Sequence, residues 1–186
     1  MRVYLPIALA ILSIAGPAFA QRMSIGTNEA RSCYESARDG SHSSAAVATC
    51  TTALGMVLNA PFDRVATLVN RGILHMHRGE TALAMADYDA ALAERPNHPE
   101  AMLNKGLLLL KFENEHARAR DLFDRALAAG TSKPELAYLG RGAAHEQAGD
   151  VRAAYNDYRE ALRLQPDWQL AKHELSSFQV RRTGAL

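Results

Sequence analysis

An internal repeat is the feature that most constrains this chain. The segment from Leu68 to Pro96 aligns without a gap on the segment from Tyr138 to Pro166, and a looser copy between them has one extra residue near Glu113. The copies recur every ~34 to 36 residues, a spacing at which each repeat is one small supersecondary unit. The positions that the copies share are Gly72, Gly106 and Gly142; His75, Leu109 and His145; Gly79 and Gly149; Ala84, Ala119 and Ala154; Tyr88, Phe123 and Tyr158; Ala91, Ala126 and Ala161; and Pro96 and Pro166.

The spacing within each copy predicts two antiparallel helices. Tyr88 belongs to an inner stripe at helical spacing on the second helix. Gly72 on the first helix leaves room for the second helix to approach closely, and we expect Ala84 to be the small residue that faces it. Gly79 predicts the turn between the two helices, and Pro96 predicts the end of the second.

These residues resemble the tetratricopeptide repeat. That family places a small residue and an aromatic on a first helix, Ala, an aromatic and Ala on a second, and Pro after it. The resemblance covers Val65 to about Trp168. It implies an all-α fold, a right-handed α-solenoid of antiparallel helix pairs, with three units at about 65–98, 99–134 and 135–168.

A fourth, degraded copy precedes these units, within residues 21–64. Its second helix repeats the alanine, aromatic, alanine spacing with a cysteine in the middle, at Ala46, Cys50 and Ala53. Residues 61–64 predict either a short linker or the start of the next helix.

The two cysteines are expected to form a disulfide. Counting by the repeat offset puts Cys33 beside the position that Gly72 holds, so Cys33 and Cys50 fall on facing helices of one hairpin. Facing positions are what a disulfide requires, and an even number of cysteines in an exported chain favours a bond. Two buried free thiols are the alternative.

Residues 1–20 have the pattern of a secretory signal peptide. Arg2 precedes an apolar run from Val3 to Ala15, and the small residues Ala18 and Ala20 precede a predicted cut before Gln21. The apolar run is too short for a membrane span. We therefore expect export, most simply to a bacterial periplasm, with an uncleaved anchor as the alternative.

Charge and motifs narrow the possible functions. From Gln21 onward the chain has 20 Lys and Arg against 20 Asp and Glu, because Arg2 is the one charged residue removed from totals of 21 and 20. Without a basic cluster beyond Arg181 and Arg182, the chain offers no electrostatic footprint for nucleic acid or anionic lipid. No phosphate loop, nucleophile motif or zinc motif occurs in the sequence. We expect no catalysis, no cofactor and no metal.

The first helices of such an array line a concave wall, which in the family binds a peptide or a partner helix. The wall is expected to be mostly apolar, and so to suit a hydrophobic helix or the apolar side chains of an extended segment. The alternative is that some of these side chains are core, or are covered by the terminal helix of the chain. The candidates are Val69, Asn70, Ile73, Met76, His77, Leu103, Asn104, Leu107, Leu110, Lys111, Leu139, Ala143 and Glu146.

Two polar features of this wall call for separate hypotheses. Asn70 and Asn104 hold the same place in successive units and are candidates for holding a peptide backbone, although Gly140 breaks the row. His75 and His77 stand about 200° apart around a helix, so they do not converge on one metal ion. We expect His75 to pack or hydrogen-bond between helices, and His77 to face the wall.

Residues 169–186 predict a C-terminal capping helix and tail, because the last unit of an array needs a helix with one wet face to cover it. A helix that docks a partner is the alternative. Taken together, the sequence predicts an exported protein–protein interaction module or scaffold. A structural or assembly factor that acts by stacking or self-association of its end surfaces is the second hypothesis.

Overall fold

Each repeat folds into two antiparallel helices, and successive pairs stack side by side. The structure, a computed structural model, describes residues 28–56 and 61–178, which contain nine α-helices and no strand. They are α1 (Asn28–Arg38), α2 (Ser44–Met56), α3 (Pro61–His77), α4 (Thr81–Glu94), α5 (Pro99–Leu108), α6 (His116–Ala128), α7 (Pro134–Gln147), α8 (Val151–Leu164) and α9 (Gln169–Ser177). The predicted all-α solenoid of helix pairs is confirmed.

One predicted boundary falls inside a helix, and another lies outside the described residues. Helix α3 begins at Pro61, so residues 61–64 start the helix and do not form a linker, which places the predicted boundary at residue 64 inside α3. Proline is well tolerated at the start of a helix, because its missing N–H would have no partner there. The predicted signal peptide, residues 1–20, lies outside the described residues, as does the tail from residue 179.

The repeated glycines lie against aromatic rings. A Cβ built on Gly72 would lie 2.5 Å from Cε1 of Tyr88, and a Cβ on Gly142 would lie 2.8 Å from Cε1 of Tyr158. The ring, and not Ala84 as the spacing suggested, is therefore the group nearest to Gly72. Each second helix rests an aromatic ring on the bare backbone of its first helix, which sets how closely the two helices pack.

The extra residue of the second unit is absorbed by a π-helical turn. Helix α5 continues into this turn at Leu109–Glu113, and Asn114 ends it with a φ of +56°. In the first unit Gly79 takes the corresponding position with a φ of +76°. Asn is among the few residues other than Gly that adopt left-handed backbone readily. Because a π-helical turn accommodates one more residue without ending the helix, the ring of Phe123 still reaches Gly106.

A cation at one shared position crosses each boundary between helix pairs. It reaches back to the second helix of the preceding pair, as Arg71 to Thr51, Lys105 to Asp89 and Arg141 to Asp124. Arg141 also forms two hydrogen bonds, at 2.8 and 2.7 Å, with Asp157 of its own pair. In the second unit Leu122 replaces that aspartate, and the cation is Lys105. The guanidinium occurs where there are two partners and the ammonium where there is one, as their donor geometries favour.

A disulfide takes the place of the ring contact in the N-terminal hairpin. The Sγ atoms of Cys33 and Cys50 are bonded, and their Cα atoms lie 4.9 Å apart on α1 and α2. Both cysteines have no exposed surface, and they belong to the apolar cluster that includes Val65 and Val69 of α3. The bond therefore holds the hairpin whose inner face packs against the first regular pair.

Helix α9 covers the last pair. Ala171 is fully buried, and the ring of Phe178, just after the helix, lies edge-on to Tyr155 and Tyr158 with centroids 6.1 and 5.7 Å apart. The opposite side of the helix exposes Lys172 and His173. This is the arrangement of a helix that closes the apolar end of an array.

We predict that replacing both cysteines with serine, or reducing the bond, destabilises the N-terminal hairpin by about 3 kcal/mol, the loop-closure entropy for this separation. Cys50 lies 17 positions after Cys33 in the sequence. Urea denaturation followed by circular dichroism, with and without dithiothreitol, measures the change. Dithiothreitol should leave the double serine variant unaffected, and an unchanged midpoint for the reduced native chain would contradict the prediction.

Candidate functional site

The structure places the apolar part of the predicted wall in the core. Ten of the thirteen candidates are at most 7% exposed: Val69, Asn70, Ile73, Met76, Leu103, Asn104, Leu107, Leu110, Leu139 and Ala143. This corrects the expectation of an open apolar surface and agrees with the alternative that such side chains are core. They lie on α3, on α5 with its π-helical turn, and on α7, as the repeat spacing predicts.

Helix α5 is buried on every side. Its buried residues include Met102 and Leu108 as well as Leu103 and Leu107, which point in different directions around the helix. The first helix of a pair normally has one face against its second helix and two edges against neighbouring pairs, which leaves a fourth side to form the wall. In α5 this fourth side is buried as well. The wall at α5 is therefore a covered apolar surface.

Three wall candidates remain partly exposed, and they lie at the ends of the first helices. We call this row the rim: His77 at the end of α3, Lys111 in the π-helical turn and Glu146 near the end of α7. Burial lowers the pKa of Lys111. Glu146 accepts a hydrogen bond of 2.9 Å from the hydroxyl of Tyr158. The rim therefore holds a cation and a carboxylate in adjacent units.

His77 has a neighbour that the sequence did not reveal. The ring of His42, from the turn between α1 and α2, lies 5.6 Å from the His77 ring, centroid to centroid. Nδ1 of His42 lies 2.9 Å from the carbonyl oxygen of His77. Burial lowers the pKa of His77, and the charges of His42 and Lys111 lower it further. Both ring nitrogens of His77 are buried with no hydrogen-bond partner within the described residues. The imidazole is thus favoured in its neutral form.

The asparagine row is only partly available for a peptide backbone. Asn104 has no exposed surface and donates from Nδ2 to the carbonyl oxygen of Glu100 at 2.8 Å. Its Oδ1 is buried and has no partner among the described residues. At the third position, a Cβ on Gly140 would lie 2.5 Å from Cζ of Phe123. The row is broken there because the ring leaves no space for an amide side chain.

His75 forms part of the joint between α3 and α4. Its Nδ1 lies 2.6 Å from Oε2 of Glu80, which is the hydrogen-bonding role that the repeat predicts. Glu80 also receives a hydrogen bond from Arg78, and this bond, followed by that of His75, lowers the pKa of Glu80 to about 2. Across residues 28–56 and 61–178, no three His, Cys, Asp or Glu side chains are grouped as metal ligands would be.

No helix in the described part of the chain is both long and apolar enough to cross a membrane.

Stacked hairpins with a covered apolar wall on their first helices define a helical-repeat scaffold. The family model for the tetratricopeptide repeat matches residues 69–134 and 113–168, which is more than half of the chain. The chain belongs to the tetratricopeptide repeat family. This fold supports a protein–protein interaction module, and members of the family bind protein partners.

Curated proteins of similar sequence align with a smaller part of the chain than the family model does. The chain is 36% identical over 83 residues to the photosystem I assembly protein Ycf3 of Prochlorococcus marinus strain MIT 9303, covering 41% of this chain and 48% of that protein. It is 43% identical over 82 residues to the protein of the same name from Synechococcus sp. strain WH7803, covering 41% and 47%. The chain thus spans about half the length of the curated relatives that it matches.

Two solved structures share the fold. A tetratricopeptide repeat protein from Parabacteroides merdae ATCC 43184 superposes with a TM-score of 0.62 at 23% identity, over 80% of this chain and 56% of that one. The MamA RS-1 ArsTM double mutant superposes with a TM-score of 0.65, also at 23% identity, over 84% and 86%. At this identity the likeness concerns the fold alone.

The capping helix carries a buried carboxylate. Glu174 of α9 is 6% exposed, and it has no cation partner among the described residues. Burial raises its pKa, and the carboxylate of Glu146 raises it further. A raised pKa means that the folded chain binds this proton more tightly than the unfolded chain. The ionised carboxylate therefore lowers stability above the folded pKa, and the loss disappears once the pH falls below the unfolded value.

We predict that Glu174→Gln stabilises the chain at pH 7 by roughly 1 kcal/mol, because it removes a charge that is desolvated beside the carboxylate of Glu146. At pH 4 most of the gain should vanish, because the native carboxyl is then mostly protonated in both states. Thermal unfolding at the two pH values measures the effect, and Glu35→Gln, on the exposed side of α1, is the matched control. A gain of equal size at pH 4 would contradict the assigned cause.

Proposed function

We propose that this chain is a scaffold that binds a partner protein along the rim, the row of His77, Lys111 and Glu146. The observation that carries the proposal is that these three wall candidates remain partly exposed, whereas the apolar side chains of the wall are buried within the chain itself. Because core side chains are not accessible to a partner, contact with another protein would fall on the rim.

The rim gives this binding a direction. Lys111 and Glu146 carry opposite charges in neighbouring units, while His77 is favoured in its neutral form. A partner segment that follows the rim would meet a cation at the second unit and a carboxylate at the third. Electrostatic complementarity of this kind contributes more to orientation and specificity than to affinity.

The proposed compartment is the bacterial periplasm. Support comes from the predicted signal sequence and from the bond between Cys33 and Cys50, since structural disulfides persist in oxidising compartments. Under this proposal the partner is itself exported or exposed on the outer side of the inner membrane.

An assembly role through stacked end surfaces is the second candidate. It is favoured by the similarity to Ycf3 of Prochlorococcus and Synechococcus, which is a photosystem I assembly protein. Against it, α9 closes the C-terminal end and turns Lys172, His173 and Ser176 outward, a polar surface that is poorly suited to stacking. Light scattering across a concentration series separates the two candidates, because stacking requires self-association and partner binding does not.

We predict that a photo-cross-linking residue, benzoylphenylalanine, captures a partner when placed at Lys111 or His77. These positions border the wall and are already partly exposed, so the substitution leaves the core intact. Cross-linking is carried out in the organism that makes the protein, and mass spectrometry then locates the attachment point. The expected product is one adduct with a partner protein.

The matched control is benzoylphenylalanine at Arg152, which is exposed on the outer helix α8. This position should give no adduct with the same partner. Equal capture from position 152 would show that the outer helices bind, and a cross-link only within the chain would show that the rim binds no partner. Either result would overturn the proposal.

A further inference from the structure

One boundary between helix pairs is open where the others are filled. In each second helix, the residue after the repeated alanine lies toward the next pair. In chain order these residues are Val47, Met85, Arg120 and Tyr155. The three apolar members are packed: Val47 against the cluster that contains Val65, Met85 against the cluster that contains Leu108, and Tyr155 against Phe178. Arg120 alone is charged, and it is exposed.

On the α7 side of this boundary the side chains are smaller than at the same positions of the second unit. In the second unit the corresponding positions hold Leu108 and Phe112, whereas in the third they hold Ala144 and Ala148. A cleft of about 360 Å³ opens between α6 and α7 as a result. We call it the seam cleft; its lining residues are Asn114, Glu115, His116, Ala117, Arg120, Ala144, Gln147 and Ala148. Its volume lies within the range of pockets that hold ligands.

The polar groups of the seam cleft suit a single negative charge. Arg120 makes no ion pair within the described part of the chain, whereas the nearby Arg118 and Glu115 are paired with each other at 3.2 Å. One unpaired guanidinium matches one carboxylate, often through two parallel hydrogen bonds. A doubly charged phosphate would instead leave excess negative charge beside Glu115.

We propose that the seam cleft binds the carboxylate of an Asp or Glu side chain on the partner protein. The inference rests on the proposed function, because it takes the carboxylate to belong to the bound partner. Arg120 binds the carboxylate, and the amide of Gln147 offers a further hydrogen bond. The cleft lies at the turn ends of α6 and α7, and its lining residue Gln147 follows Glu146 of the rim in the sequence, so a partner bound at the rim could reach both.

The test is a titration of the full chain with N-acetyl-glutamate amide, followed by ¹H–¹⁵N chemical shifts. The amides of Asn114, His116 and Gln147 should shift saturably, with a dissociation constant on the order of 1 mM for so small a probe. Arg120→Met, which copies Met85, should weaken binding at least about tenfold, the loss of one strong contact. The same variant should raise the unfolding temperature because the methionine fills the seam, and this shows that the variant is folded.

Two controls make the result decisive. Arg152→Met removes another exposed arginine that makes no ion pair within the described residues, and it should leave the titration unchanged. N-acetyl-glutamine amide has the same shape without the charge and should not shift these amides. Absence of saturable shifts, tighter binding of inorganic phosphate than of the carboxylate, or loss of binding in Arg152→Met would each overturn the inference.

The seam inference and the proposed function can be disproved independently of each other. If the rim cross-links a partner but the carboxylate does not bind the cleft, only the seam inference is wrong. If the carboxylate binds and the rim captures nothing, the cleft remains an anion site and the scaffold proposal is wrong.

Discussion

The ring of Phe123 touches two glycines that belong to different helix pairs. A Cβ on Gly106, in its own pair, would lie 2.9 Å from the ring, and a Cβ on Gly140, in the next pair, would lie 2.5 Å from it. One side chain therefore sets both the closeness of α5 to α6 and the closeness of α6 to α7. Such nearest-neighbour contacts are the terms that add up to the stability of a repeat array.

The other helix pairs use the same position in different ways. Tyr88 and Tyr158 lie on Gly72 and Gly142, and in the N-terminal hairpin the disulfide of Cys33 and Cys50 replaces the ring contact. Within the described residues this hairpin has a neighbouring pair on one side only and so gains less from packing, a loss that a covalent bond offsets. Where the aromatic ring is replaced by Cys50, a disulfide joins the two helices at the same position.

Spacing predicts which residues share a helix face, and this is why the helix pairs, the turn at Gly79 and the facing cysteines could be read from the sequence. Spacing does not report whether a face is covered, so Leu103 and Leu107 were expected on an open wall and are buried. Contacts between distant segments, such as His42 with His77, leave no periodic signal. The seam cleft depends on volumes from two helices at once, and neither Arg120 nor Ala148 predicts it alone.

A double-mutant cycle on Gly140 and Phe123 tests the central claim, that a ring seated on a bare backbone joins neighbouring pairs. In the native background, Gly140→Ala should destabilise the chain by about 1–3 kcal/mol through overpacking. In a Phe123→Leu background the same change should cost nothing, or stabilise by up to about 1 kcal/mol, since Ala is the better helix former. Urea denaturation gives the four free energies of unfolding. A coupling energy above about 1 kcal/mol is predicted, whereas additivity within about 0.5 kcal/mol would contradict the account.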